Sequence, residues 1–493
     1  MPKPLHARSL ILCIALTVLL GAAAQAGKIN LQEPIRLPDG QPLKSIYFFG
    51  HWWDPWKSDD AALAKDLKRL KELGFNTICV DHEVSQAINR DWHWLDREYK
   101  LAGQEKIQIL PWLQLQSVDR ENLMKFANLS LKQAVNQDGQ PVPDCCDFRD
   151  SEFRRALAHY ITVYLDRYGN DPALLRVKDG KRERPVVALM VEVGWRDEKG
   201  MPLSFDEDTN AYFRKWMKAS YHDLKHLNTK WGTDYKSFDE IDPCDKSIFD
   251  YACEDKQNMP VAVREHVTFR ARLIGEALQS VAKEVRKKHK DVMLAAEIAY
   301  PFSLDSPDAA AYRWNNANDF RIIDFADIVF IRTAGNTSFG QVKKDQDLLI
   351  LNGKKVVLGY RLFEGSSTDR GVVFALDCAS SANGLGYYNW NETADSASAI
   401  YADPKRQECV RLMNSTYDML YDSEKRHVTT ATIESETPVA GGGASQEEKP
   451  VDEKPAEEKP ATEKPAEEKP AEDASAEQPA PAQVPPAPVE VPK

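Results

Sequence analysis

The stretch Pro185-Val186-Val187-Ala188-Leu189-Met190-Val191-Glu192-Val193-Gly194-Trp195 decides how the remaining chain is read. Its apolar run is long enough for a strand buried on both faces, the habit of parallel sheets covered by helices. One carboxylate, Glu192, stands where the run gives way to glycine and loop residues. Barrels of alternating strands and helices keep their reactive groups at that end of each strand, although a lone carboxylate there can equally serve a strand-capping ion pair.

Three further apolar runs precede it, at residues 43–49, 75–80 and 107–115. Helical spacing separates them. Residues 59–73 carry Leu63, Leu67 and Leu70 on one side and stop at Gly74, residues 92–102 form a second segment, and residues 150–168 repeat Phe153, Leu157, Tyr160, Ile161, Tyr164 and Leu165. A polar insertion, residues 178–184, delays the fourth strand. After Glu192 the chain makes a long excursion through one helix at 206–229 and another from about 260 to 289. Strands five to eight follow at 292–298, 326–332, 355–360 and 384–390. Eight strands separated by helices predict a fold of the α/β class, a closed (β/α)8 TIM barrel, with an open doubly wound sheet as the alternative.

Both ends of the chain differ from this body. Lys3, His6 and Arg8 precede an apolar run from Leu10 to Leu20, and Ala24-Gln25-Ala26 offers small residues at a cleavage site. The pattern reads as a signal peptide over residues 1–26 and predicts a secreted, periplasmic or cell-envelope protein. Past it, no run approaches the ~20 apolar residues of a membrane span. Residues 27–430 read as one (β/α)8 barrel domain, and residues 431–493 as a disordered acidic linker or tail. Lys-Pro recurs there every five residues from Lys449 to Lys469, with almost nothing apolar between. From Glu447 on, thirteen acidic residues face six basic ones, so seven of the twelve net negative charges belong to this tail, which could tie the protein to the cell surface. The body is only mildly acidic and shows no basic face for nucleic acid. Of eight cysteines Cys13 lies in the leader; Cys244 and Cys253 could close a short ring in an oxidising compartment. Neither a phosphate-binding glycine loop nor a cluster with metal-ligand spacing is present, so no cofactor and no metal are expected.

The strand ends collect aromatic and polar groups. After strand one come His51, Trp52 and Trp53, whose indoles suit the C–H face of a sugar ring or a hydrophobic mini-core under the loop. Strand two delivers Asp81, His82 and Glu83, suited to hydroxyl recognition or a supporting ion pair. Strand three brings Trp112 and Gln114, the amide offering both donor and acceptor. Trp195 flanks Glu192, Tyr360 and Arg361 end strand seven, and Asn389 and Trp390 end strand eight as a hydroxyl partner and a floor. Hydrolysis of a glycosidic bond with retention needs two carboxyls about 5 to 5.5 Å apart, one protonated and one ionised. Glu192, among apolar neighbours that raise a carboxyl pKa, is assigned as acid and base; Glu364, near Arg361, is assigned as nucleophile. Glu297 on strand five is the competitor for that second role, or a third acid holding a hydroxyl.

The segment Tyr212-Phe213-Arg214-Lys215-Trp216-Met217 through Leu227-Asn228-Thr229-Lys230-Trp231-Gly232-Thr233 resembles a stretch of the glycoside hydrolases of clan A, family 42, the β-galactosidase-like enzymes. Phe153 to Ala173 resembles their helix before the acid/base strand, and Gly384 to Trp390 their last strand with its substrate-facing tryptophan. The resemblance implies a (β/α)8 barrel with acid/base and nucleophile after strands four and seven, acting on a β-linked poly- or oligosaccharide. Two departures stand out: Val191 occupies the place of an asparagine that binds the sugar 2-hydroxyl, and the domains that follow the barrel in the family are not matched by the acidic tail. The rival readings are a carbohydrate-binding barrel without turnover and a surface protein whose tail is the working part.

Overall fold

The computed structural model describes residues 31–48, 59–82, 88–89, 91–114, 120–190, 203–245, 260–299, 323–332, 349–350, 352–361, 368–388, 400 and 403–422. The strands are β1 (Lys44–Phe48), β2 (Thr77–His82), β3 (Gln108–Gln114), β4 (Gln133–Val135), β5 (Pro141–Cys146), β6 (Arg176–Asp179), β7 (Arg182–Met190), β8 (Met293–Ala299), β9 (Ile328–Arg332), β10 (Lys355–Arg361) and β11 (Gly384–Tyr388). The helices are α1 (Asp60–Glu72), α2 (His93–Glu105), α3 (Arg120–Ala127), α4 (Ser151–Tyr168), α5 (Glu207–Tyr221), α6 (Leu224–Trp231), α7 (Val261–Lys288), α8 (Thr368–Ser381) and α9 (Pro404–Tyr421).

Eight strands pair in parallel in the order β1, β2, β3, β7, β8, β9, β10, β11, and β11 returns to β1. The pairing of Trp112 with Ala188, between β3 and β7, closes the ring and excludes the open sheet. The chain is therefore a TIM barrel, with β7 as barrel strand four and β10 as barrel strand seven.

Alternation along each strand divides the core into two layers. Inside the ring lie Tyr47, Cys79, Leu110, Trp112, Val186, Ala188, Met293, Ala295, Ile328, Phe330 and Val357. Outside, Ile46, Ile78, Ile109, Val187, Leu294, Val329 and Leu385 meet the buried faces of the helices. Strand β11 runs close to its neighbour: a Cβ on Gly384 would lie 3.0 Å from Val357 Cγ2, so the inner ring there has room for a hydrogen only.

The helices start and stop as their sequences direct. Asp59 and Asp150 accept from the backbone N–H groups of Ala61 and Glu152, capping α1 and α4. Gly74, at φ +90°, lets the chain leave α1 for β2. Helix α9 seals the seam between first and last strands. Lys44 Nζ pairs with Asp418 at 2.6 Å, Tyr387 Oη donates to Asn414 Oδ1 at 3.3 Å, and Asn414 Nδ2 donates to Leu73 O at 2.9 Å.

Two expectations need correction. The polar insertion at 178–184 does not delay the fourth strand, which begins at Arg182: β6 and β7 form an antiparallel hairpin with Asp179 opposite Arg182 and Gly180 at φ +62° in the turn. The hairpin's Val177 and the preceding Leu175 join Ile35, Leu37 and Leu43 as a plug under the inner ring, at the N-terminal ends of the strands. The helix expected over 206–229 is two helices. His222 takes a left-handed conformation, φ +54°, and Asp223 caps a new helix by accepting from Lys225 N. Cys244, which the sequence allowed to pair with Cys253, is a free thiol; Cys253 lies outside the described residues, as do residues 1–30 and 423–493.

Candidate active site

Because all eight barrel strands run the same way, their C-terminal ends share one rim. Asp81, Gln114, Met190, Ala299, Arg332, Arg361 and Tyr388 stand at or beside those ends. In sequence, Glu192 comes two residues after Met190, and Glu364 three after Arg361. Glu192 and Glu364 themselves, together with His51, Trp52, Trp53, Glu83, Trp195, Asn389 and Trp390, lie outside the described residues. Gln114, Tyr360 and Arg361 are fixed by their backbone: Gln114 is in register with Met190, Tyr360 with Tyr387 and Arg361 with Tyr388.

Below the rim two carboxylates occupy the inner ring. Glu297 follows Met293 and Ala295 on the inward parity of β8, in register with Phe330, and is 1% exposed. Asp81 follows Cys79 on the inward parity of β2, in register with Trp112, and is 2% exposed. Burial first, then the fields of Glu297 and Asp81, push the Cys79 thiol far up, against a hydrogen bond with Ser45. Both acids lie on the inward parity of their strands and so share the interior of the ring. Cys79 is accordingly an inert buried thiol. Trp112 is set one step lower than the rim, buried, with its ring 4.6 Å from Tyr47 and 6.0 Å from Phe330; it is a wall of the inner ring on which the mouth rests.

The next residue on β2 turns the other way. His82 faces the helices, where its Nε2 lies 2.9 Å from Glu98 Oε2 and its Nδ1 lies 2.6 Å from Tyr164 Oη. Tyr99 Oη is 2.9 Å from Tyr164 Oη, and Tyr168 donates to Asp96 at 2.8 Å. Burial is the largest cause holding the Tyr99 and Tyr164 hydroxyls well above their ordinary value, so both remain neutral donors. His82 thus has the supporting role of the two open to it, as a buried hydrogen-bond partner of Glu98 and Tyr164, and it clamps β2 at the point where Asp81 enters the ring. Sequence reading missed Glu98 and Tyr164. The signal was present: Glu98 lies on the same buried face of α2 as Leu95, Tyr99 and Ala102, and a carboxylate there requires a partner.

The Leu-Asn…Trp-Gly-Thr element has a structural task. Asn228 Oδ1 accepts from Thr233 Oγ1 at 2.8 Å and Tyr235 N at 3.1 Å, while Nδ2 donates to Tyr235 O at 2.8 Å. Gly232, at φ +72°, ends α6, and Trp231 Nε1 donates to Glu265 of α7 at 3.1 Å. Burial raises the Glu265 carboxyl despite bonds from Tyr221 and Trp231. The motif fastens the excursion after barrel strand four onto the helix before strand five. Among the described residues, no group of three or more His, Cys, Asp or Glu is gathered to hold a metal ion, and no helix is long and apolar enough to cross a membrane.

Residues 145–326 match the model of the family Glyco_hydro_42, Beta-galactosidase. A curated relative, Beta-galactosidase Bga of Halorubrum lacusprofundi, is 23% identical over 220 residues, which cover 41% of this chain and 28% of the relative. Among solved structures, the beta-galactosidase of the haloarchaeon Halorubrum lacusprofundi superposes with a TM-score of 0.52 at 16% identity, over 77% of this chain and 58% of that one. The beta-galactosidase of the psychrophilic Marinomonas ef1 gives 0.51 at 14%, over 79% and 62%. The catalytic domain of beta-amylase from Paenibacillus polymyxa gives 0.54 at 12%, over 76% and 98%. The chain spans less than two thirds of the galactosidases it resembles, and at these identities the superpositions speak for the barrel alone.

Proposed function

The chain carries a glycoside hydrolase family 42 domain, and from that premise we propose that it hydrolyses a β-linked glycan or oligosaccharide with retention, through Glu192 and Glu364. The observation that carries the reading is the position of β7 and β10 as fourth and seventh strands of a closed ring, each followed within three residues by a glutamate. Val186 and Ala188 line the inner ring, and Glu192 shares their parity in sequence. In this mechanism Glu192 protonates the leaving oxygen while Glu364 attacks the anomeric carbon. Glu192 then takes a proton from the water that releases the sugar.

Glu297 supports that division of labour. It lies within β8, two residues short of the strand end, and is 1% exposed, which suits an acid that shapes the floor better than one that must reach an anomeric carbon. Asp81 would hold a hydroxyl from the same floor. Substitution tests the assignment directly. Glu192→Gln and Glu364→Gln should each abolish release of reducing ends from a panel of β-linked oligosaccharides, and Glu297→Gln should only weaken it. Full activity of Glu192→Gln would refute the role given to it.

The second reading, a sugar-binding barrel without turnover, is favoured by Val191, where an asparagine would hold the 2-hydroxyl. It predicts sugar affinity in calorimetry with no reducing ends released at any pH. Export by the leader, with the acidic tail as a spacer or surface tether, completes the proposal; N-terminal sequencing of the mature protein at Gly27 would support it, and an intact Met1 in the envelope fraction would oppose it.

A further inference from the structure

We propose that the hollow beside helix α6 is a second carbohydrate site, which holds a neutral stretch of glycan and is built without the strand ends. The proposal rests on the reading of the chain as one that acts on a β-linked glycan. Lys225 and Thr229 of α6, with Thr233, Tyr235 and Lys236 of the turn after it, line a concavity of about 450 Å³, a size that suits a small ligand. All five belong to the excursion after barrel strand four, and none stands at the end of a barrel strand.

The wall is fixed before a ligand arrives. Asn228 bonds Thr233 Oγ1 and both backbone polar groups of Tyr235, which ties the turn to α6. The Tyr235 ring meets Trp231 edge to face, 6.5 Å away at 75°, and Trp231 is held in turn by Glu265 of α7. Tyr235 is only part-buried, so its ring offers apolar surface to the C–H face of a sugar.

The polar groups decide what kind of ligand fits. Thr229 Oγ1 donates to Lys225 O, and Thr233 Oγ1 donates to Asn228 Oδ1, both at 2.8 Å. Each hydroxyl has thereby used its one proton and keeps lone pairs that only accept. Lys225 and Lys236 bring ammonium groups that only donate, and Lys236 also pairs with Asp234 at 3.3 Å. A ligand suited to both must donate and accept through the same kind of group. Sugar hydroxyls do so, whereas a carboxylate, sulfate or phosphate would bring the threonine oxygens no proton. Nearby acids oppose an anion as well: burial, then Asp245 and Asp242, hold the Tyr235 hydroxyl above its ordinary value, so it stays neutral.

Electrophoresis of the full chain through gels holding galactan, xylan or mixed-linkage glucan, with polygalacturonate as the anionic counterpart, tests this. At least one neutral glycan should retard the chain, and should retard Glu192→Gln equally. Tyr235→Ala and Thr229→Val should each weaken that binding roughly fivefold, while Tyr235→Phe stays within about twofold. Hydrogen exchange over residues 224–236 should slow when oligosaccharides of the retarding glycan are added. Thr229 and Lys225 are exposed, so Thr229→Val and Lys225→Ala carry the test should Tyr235→Ala not fold. No retardation by any neutral glycan, stronger retardation by polygalacturonate, variants that bind as the unsubstituted chain does, or unchanged exchange over residues 224–236 would each overturn it. A chain retarded through these residues that releases no reducing ends would remove the hydrolase reading and leave this site standing. Release of reducing ends with residues 224–236 unaffected would do the reverse.

Discussion

The two ends of the barrel are built for different purposes. At the N-terminal end of the strands, Ile35, Leu37, Leu43, Leu175 and Val177 close the inner ring with aliphatic side chains, Val177 from the β6–β7 hairpin and Leu175 from the position that leads into it. Toward the C-terminal end, the same ring takes in Asp81 and Glu297, two nearly inaccessible carboxyls that no hydrophobic core would select for stability. One end contributes cohesion. The other buries two acids, the division the proposed chemistry would use at the C-terminal end of this fold.

The largest expected effect lies at the acid end. Glu192→Gln should lower kcat by roughly 10³-fold, about 4 kcal/mol of barrier, with no loss of melting temperature. A comparable loss of stability in that variant would blur the distinction between the ends. Behind the rim, His82→Ala leaves the Glu98 carboxylate buried and unpaired, and should cost about 4 kcal/mol in a urea unfolding series. If β2 positions Asp81 as described, KM in the surviving folded fraction rises more than kcat falls.

At the aliphatic end the expectation reverses. Leu175→Ala should cost about 3 kcal/mol of stability and leave kcat/KM unchanged at temperatures where the variant is folded. A loss of activity without a loss of stability would show that the plug reaches the site. The smallest effect concerns pH. A hydrogen bond from Arg184, against burial and helped by Lys355, holds Asp179 of the hairpin below its ordinary value. A carboxyl lowered by folding contributes stability above its unfolded pKa near 3.8, and that contribution is lost as pH falls through the lower folded value. The pair is partly exposed, so Asp179→Asn should remove under about 1 kcal/mol at pH 7 and flatten acid unfolding only slightly.

Much of the ring was legible because double-sided burial leaves continuous apolar runs, and β7, β8, β9 and β10 all read that way. The hairpin was not, because one face of β6 is solvated and its charges, Lys178, Lys181, Arg182 and Arg184, resemble a loop. The two-residue Gly180-Lys181 connection was the available signal. The break at His222 was hidden because α5 and α6 bury apolar residues in continuous helical phase, with only Asp223 to announce a second cap. At the site, the sequence set Asp81, His82 and Glu83 side by side, whereas the folded strand turns Asp81 inward and His82 outward, and Glu98 and Tyr164 come from separate helices that only the folded chain brings together. Asn228 shows the opposite limit: a recognisable motif whose residues bind their own turn.

The central claim is that Glu364 is the nucleophile at a retaining rim. It is tested most directly by incubating the full chain with 2-deoxy-2-fluoro glycosides of several β-linked sugars and mapping the trapped adduct. One covalent sugar on the peptide containing Glu364, absent from Glu364→Gln, is the predicted result; an adduct on Glu297 would contradict it.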